Sequence, residues 1–214
     1  MTASSFEIRV CLSCGLRYPL TEGHAFGKRC PHCLGETEVA LKKVMNDEVR
    51  SNEERVESKR AGSKKLKAVL LDNIRSAWNV GSILRSADGF GFSHAYLCGI
   101  TPTPEADAVQ KTSLGAEEYV TWSHHHNAVK LVKGLKKEGW TILALEEDER
   151  SIALSSGKKI KADKIVLIAG SEVTGVDPEL LDLADHILHI PMHGQKRSFN
   201  VANAFSIAAY ALGG

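Results

Sequence analysis

Residues 164–175 read Lys-Ile-Val-Leu-Ile-Ala-Gly-Ser-Glu-Val-Thr-Gly. The apolar run from Ile165 to Ala169 gives way at once to glycine and small polar residues. Such an unbroken run suits a central strand buried on both sides, as in a parallel sheet covered by helices. Working outward, strand-like runs alternate with helical spacing from residue 66 to the end. The patterns predict strands over 66–71, 94–98, 119–122, 141–145, 164–169 and 187–190. They predict helices over 80–90, 106–114, 128–137, 178–183 and 201–212. The expected fold class is α/β, a mostly parallel sheet with helices on both faces.

The chain has 214 residues, so about 60 precede this unit at the usual ~150 residues per domain. Apolar residues make up 43% and charged residues 25%, which excludes a collagen, a coiled coil and a wholly disordered chain. The apolar runs are too short for a membrane span, and Met1 to Val10 lacks the pattern of a secretory signal, so a cytoplasmic protein is expected. Residues 1–65 carry twelve Lys and Arg against nine Asp and Glu, a surplus of three; residues 66–214 carry fifteen against seventeen, a deficit of two. That mild imbalance permits an RNA partner, while a DNA-coating protein would be far more basic.

Four of the five cysteines form Cys11-Leu-Ser-Cys14 and Cys30-Pro-His-Cys33. Two C-x-x-C pairs fifteen residues apart are spaced for a tetrathiolate zinc site, with each pair on a tight turn beside Gly15 or Gly35. Two disulfides or a redox pair are the competing readings, disfavoured by a reducing compartment and by the second copy. His24 and His32 are substitute ligands only if a thiolate is missing. A closed four-sulfur shell leaves no open position for catalysis, so the metal's expected task is to fold a small module. Cys98, alone in an apolar run, reads as a buried core thiol. The expected organisation is a zinc-ribbon-like module over 1–40, a charged linker or helix over 41–65, and the α/β unit over 66–214.

In a parallel sheet, ligands gather at the carboxyl ends of strands. Three such ends are rich in glycine and polar residues: Asp72 to Gly81 leading into a helix with Arg85, Ala169 to Val176, and Pro191 to Asn200. No P-loop or Gly-x-Gly-x-x-Gly fingerprint accompanies them, which argues against a nucleotide triphosphatase or an ordinary dinucleotide enzyme.

Taken in order, Asn79-Val-Gly-Ser-Ile-Leu-Arg85, Ala169-Gly-Ser-Glu172-Val-Thr-Gly175 and Ile190-Pro-Met-His-Gly194 with Ser198-Phe-Asn200-Val-Ala202 resemble the three motifs of SpoU/TrmH-type RNA 2'-O-ribose methyltransferases, in the SPOUT superfamily. Phe199 and Ala202 stand where that family usually has leucine and serine. The resemblance covers residues 66–214 and implies a carboxyl-terminal trefoil knot, a homodimer joined through the first-motif and last helices, and bound S-adenosyl-L-methionine. It also implies a cofactor pocket using Ala169, Gly170, Glu172, Ile190, Met192, Gly194, Ser198 and Phe199. The catalytic set it implies is Arg85, Asn79, Glu172, Ser198 and Asn200.

In-line transfer to a ribose hydroxyl needs a loosened proton, a hold on the adjacent phosphate and no nearby cation crowding the sulfonium. Arg85 stays protonated, so its expected role is to grip phosphate and stabilise the developing alkoxide rather than to act as a base. Lys196 and Arg197 suit phosphates, Trp78 suits either base stacking or core packing, and His124-His125-His126 reads as a solvated helix start. Around the cysteines, Arg9, Arg17, Lys28 and Arg29 would let the head touch tRNA or rRNA; protein docking is an equally physical use. A non-catalytic RNA-binding or ribosome-associated protein is the alternative function, and a base-methylating relative is disfavoured by the Asn79 to Arg85 motif.

Overall fold

A computed structural model describes residues 5–21, 28–44, 65–156, 160–195 and 198–213. His24, Lys196, Arg197 and the charged stretch 45–64 lie outside them. The chain divides into two compact units, Met1–Ser58 and Lys59–Gly214.

In the first unit, β1 (Ser5–Cys11) lies between β2 (Arg17–Thr21) and β3 (Thr37–Val44), antiparallel to both. Strand β3 pairs through Val44 with Ser5, so the sheet continues four residues beyond the expected boundary at 40. The alternation Val39-Ala40-Leu41 carries it into the charged stretch. Arg9 does not join the basic surface expected of it. It is only 4% exposed, its guanidinium donating to Glu7 at 2.6 Å, to Thr37 Oγ1 at 2.8 Å and to the Thr37 carbonyl at 2.9 Å.

The second unit is built on seven parallel strands in the order β6-β5-β4-β9-β7-β10-β8. They are β4 (Leu66–Asp72), β5 (His94–Cys98), β6 (Thr121–His125), β7 (Thr141–Leu145), β8 (Ile152–Ala153), β9 (Lys164–Ala169) and β10 (His186–His189). Helices α1 (Ala77–Gly89), α2 (Asp107–Ser113), α3 (Ala128–Lys137), α4 (Pro178–Leu183) and α5 (Val201–Ala211) cover the sheet. Side chains alternate across a strand. Val69 and Leu71 of β4 with Ile165, Leu167 and Ala169 of β9 therefore meet α1, α2 and α5. Ala68 and Leu70 with Val166 and Ile168 meet α3 and α4 on the other face.

Gly81 explains how closely α1 approaches α2: a β-carbon there would collide with the Val109 carbonyl and the Thr112 side chain. Helix α5 is anchored by Phe205, fully buried edge-on to Phe92 with ring centroids 5.3 Å apart, a burial contributing about 2–3 kcal/mol. Cys98 is buried as expected, and burial pushes its thiol up to about 12.

The histidine trio differs from its sequence reading. His124 and His125 end strand β6, with His124 Nε2 3.0 Å from the Gly99 carbonyl and His125 Nε2 2.9 Å from Ser123 Oγ. An edge strand tolerates polar residues, which is why histidines continue it. No helix among the described residues is long and apolar enough to cross a membrane.

Candidate active site and cysteine cluster

Strands β7, β9 and β10 are adjacent and parallel, so their carboxyl ends open on one rim. There the loops enclose a cleft of about 660 Å³, a size that suits a small cofactor. Its lining comes from Leu145 to Glu147 after β7, Ala169 to Gly175 after β9, His189, Ile190 and Met192 after β10, and Ser198 to Val201 with Ala204 at the start of α5. Gly170 is required, because a β-carbon would drive into the Gly175 and Val176 backbone. Ser171 and Gly175 exchange two backbone hydrogen bonds, N to O at 3.0 and 2.9 Å, closing a tight loop with Gly175 at φ +72°. Glu146 Oε2 accepts the Val176 N–H at 2.9 Å and pins the loop to β7.

The tip of that loop is Glu172. Its carboxylate accepts from Arg75 N at 2.9 Å, Ser76 N at 3.2 Å and Asn79 Nδ2 at 2.8 Å. Asn79 Oδ1 in turn accepts from Asn200 Nδ2 at 3.0 Å, while Asn200 Oδ1 caps α5 by accepting from Ala202 N. One continuous line of hydrogen bonds thus joins the three motif loops. Desolvation acts to raise the Glu172 pKa, but the donors from Arg75, Asn79 and Ser76 outweigh it and hold the carboxyl below its ordinary 4.5. A depressed carboxylate contributes stability that is present above its unfolded value and lost as pH falls through the folded one. Thermal unfolding midpoints should therefore fall more steeply below pH 4.5 in the wild type than in Glu172→Gln; parallel curves would refute the clamp.

Of the residues expected at a cofactor pocket, Ala169, Gly170, Glu172, Ile190, Met192, Ser198 and Phe199 line the cleft, whereas Gly194 does not. Asn79, Glu172 and Asn200 are brought together, and Ser198 lies on the rim. Arg85 is absent from the lining: it sits on the exposed face of α1, two turns beyond Trp78, and makes no hydrogen bond or ion pair among the described residues. Trp78 is 60% exposed, which excludes the core-packing alternative. Sequence reasoning missed Glu146 and His189, whose Nδ1 lies 2.9 Å from Ser151 Oγ. Their one available signal was position, at the carboxyl end of a strand.

In the first unit, Cys11, Cys14, Cys30 and Cys33 bring their sulfurs within 4.8 Å of one another. Cys11 Sγ lies 3.4 Å from Cys33 Sγ, and Cys14 Sγ lies 3.7 Å from Cys30 Sγ. Tetrahedral coordination at 2.3 Å requires sulfurs roughly 3.8 Å apart. Two matching turns present them: Gly15 N donates to Cys11 O at 3.0 Å and Leu34 N to Cys30 O at 2.9 Å. The Cys14 N–H lowers the Cys11 thiol to about 6, whereas, against the Gly35 backbone donor, the Cys11 and Cys14 sulfurs raise Cys33 to about 12, so the backbone donors favour one thiolate rather than four.

The family described as the SpoU rRNA Methylase family matches residues 67–210, leaving the cysteine-bearing head outside. A tRNA (guanosine(18)-2'-O)-methyltransferase of Thermus thermophilus is 32% identical over 144 residues, 66% of this chain and 71% of that protein. The 23S rRNA (guanosine(2553)-2'-O)-methyltransferase RlmP of Bacillus subtilis is 32% identical over 158 residues, covering 69% of this chain and 58% of the relative. Among solved structures, an AdoMet-bound rRNA methyltransferase from Sinorhizobium meliloti superposes with a TM-score of 0.64 at 26% identity, over 69% of this chain and 55% of that one.

Proposed function

The chain belongs to the SpoU rRNA methylase family, and on that premise we propose that it transfers a methyl group from S-adenosyl-L-methionine to a ribose 2'-hydroxyl of tRNA or rRNA. The observation that carries this reading is the hydrogen-bonded line Glu172–Asn79–Asn200 at the mouth of the cleft. The cleft's chemistry fits the cofactor. Three carboxylates, Glu146, Glu147 and Glu172, line it with no lysine or arginine among the described residues, while Leu145, Ile190, Met192 and Phe199 offer apolar surface for a purine. When bound, the cofactor supplies an electrophilic methyl on a cationic sulfur.

The chain's own residues do the rest. Glu172 orders the loop against the start of α1, Asn79 and Asn200 present amides at its mouth, and Ser198 on the rim offers a hydroxyl toward ribose. Arg85 grips the neighbouring phosphate and stabilises the oxygen as its charge develops.

We read the protein as a homodimer. Trp78 on α1 with Ile207 and Tyr210 on α5 are 60%, 40% and 74% exposed, on helices joined by a Ser86–Ser206 hydrogen bond of 2.8 Å. Arg85, exposed on the same helix and outside its own cleft, suits a role at a second copy's site. Residues 170–198, which leave central β9 and return through β10 beyond β7, are read as the trefoil-knot crossing. Zinc held by Cys11, Cys14, Cys30 and Cys33 folds the head, and the exposed Arg17, Lys28 and Arg29 offer RNA phosphates a contact. A cytoplasmic location fits this substrate.

The test is direct: purified protein, labelled S-adenosyl-L-methionine and transcripts of tRNA and rRNA, followed by nuclease digestion. Label is expected in a 2'-O-methylated nucleoside; label in a methylated base, or none with any RNA, would overturn the proposal.

A further inference from the structure

Methyl transfer consumes a cation. At neutral pH S-adenosyl-L-methionine carries a sulfonium that its product, S-adenosylhomocysteine, lacks, while the two share their remaining charges. A residue that senses this difference must present negative charge to the cleft that is not already committed elsewhere. Glu172 is committed, since three N–H donors hold its carboxylate against the start of α1. Glu147 is exposed on the rim, where water screens it. Glu146 is half-buried in the lining and has no ion-pair partner among the described residues. Its two oxygens each accept one backbone N–H, Oε2 from Val176 at 2.9 Å and Oε1 from Glu147 at 3.0 Å. A carboxylate has about four acceptor sites, so acceptor capacity remains. Those bonds also fix the side chain, so its charge is already in place before any ligand arrives.

We propose that Glu146 is the specificity residue that distinguishes the cationic, methyl-bearing cofactor from its demethylated product. The inference rests on reading the cleft as the S-adenosyl-L-methionine site. An oriented carboxylate in a partly desolvated cleft attracts a sulfonium far more than a neutral thioether. It therefore favours loading of the reactive form and release of the spent one. Glu146 sits in none of the three motifs and enters the cleft from the carboxyl end of β7.

Glu146→Gln removes the charge and one of the two acceptors, its amide oxygen still accepting the Val176 N–H; loss of the bond from Glu147 N acts on both compounds alike, so the ratio of their affinities reads the charge. Titration calorimetry with each compound on wild type, Glu146→Gln and, as a control at an exposed carboxylate outside the lining, Glu149→Gln is the experiment. Glu146→Gln is expected to weaken S-adenosyl-L-methionine about tenfold and S-adenosylhomocysteine less than twofold, with Glu149→Gln altering neither by more than twofold. The ratio of the two affinities serves as an internal control for folding. Equal weakening of both, or no weakening of either, would overturn the inference and reduce Glu146 to a loop anchor. A wild-type protein that binds neither compound would overturn the cofactor reading, and this inference with it.

Discussion

Arg85→Ala should lower the rate of methyl transfer by about 10²–10³-fold while changing cofactor affinity less than twofold. The magnitude is that of losing one preorganised group aimed at charge developing in the transition state. The separation follows from position: Arg85 lies on the exposed face of α1, lines no part of the cleft and makes no hydrogen bond or ion pair among the described residues. Its removal should leave both fold and cofactor site unchanged. Arg85→Lys keeps the charge but loses the planar fork suited to phosphate, so partial activity is expected. Mixing inactive variants tests where the arginine acts. If each site takes Arg85 from the other copy, a re-equilibrated mixture of Arg85→Ala and Glu172→Ala regains about a quarter of wild-type activity, because each mixed dimer holds one intact site. If Arg85 serves its own chain, the mixture stays inactive. Unchanged turnover in Arg85→Ala alone would remove it from the mechanism.

Legibility in the sequence followed the range of the interactions. Strands β5, β7 and β9 and helices α3 and α4 begin and end where their residue patterns do, because each is bounded by local signals, such as Asn127 capping α3 and Asp177 with Pro178 opening α4. Strand β8 spans only Ile152–Ala153, too short for a period to register. The strand expected over 119–122 is displaced to Thr121–His125, since Ala116–Glu118 form a 3₁₀ turn and three histidines disguise an edge strand. Strand order was not legible, because β9 inserts between β4 and β7 through non-local pairing. The same limit applies at the site. Three loops at strand ends could be named from glycine and polar composition, but the bonds from Asn200 to Asn79 and from Asn79 to Glu172 span 121 and 93 residues. Glu146 and Arg9 were misjudged or missed for one reason: a charged residue's partners are set by the fold, not by its neighbours in sequence.

Metal removal should have the largest structural effect, and it should be confined to the head. Among the described residues of the first unit only Arg9, Cys11 and Cys30 are buried, so β1, β2 and β3 enclose almost no apolar core. A unit this small rarely folds on burial alone. The four sulfurs converge instead at spacings suited to a tetrahedral ion, and a structural zinc contributes on the order of 10 kcal/mol to a module folded around it. Chelation of the wild type, or Cys30→Ser, is therefore expected to abolish the strand signals of β1, β2 and β3 in NMR spectra, with about one zinc per chain released on chelation. S-adenosyl-L-methionine affinity should remain within twofold, because every residue lining the cleft belongs to the second unit. Activity on full-length RNA separates the head's two uses: a head that reads RNA phosphates loses substrate affinity on chelation, whereas one that docks protein leaves transfer to naked RNA intact. A head that stays folded without metal would overturn the zinc assignment, and parallel loss of cofactor binding would show that the two units do not fold independently.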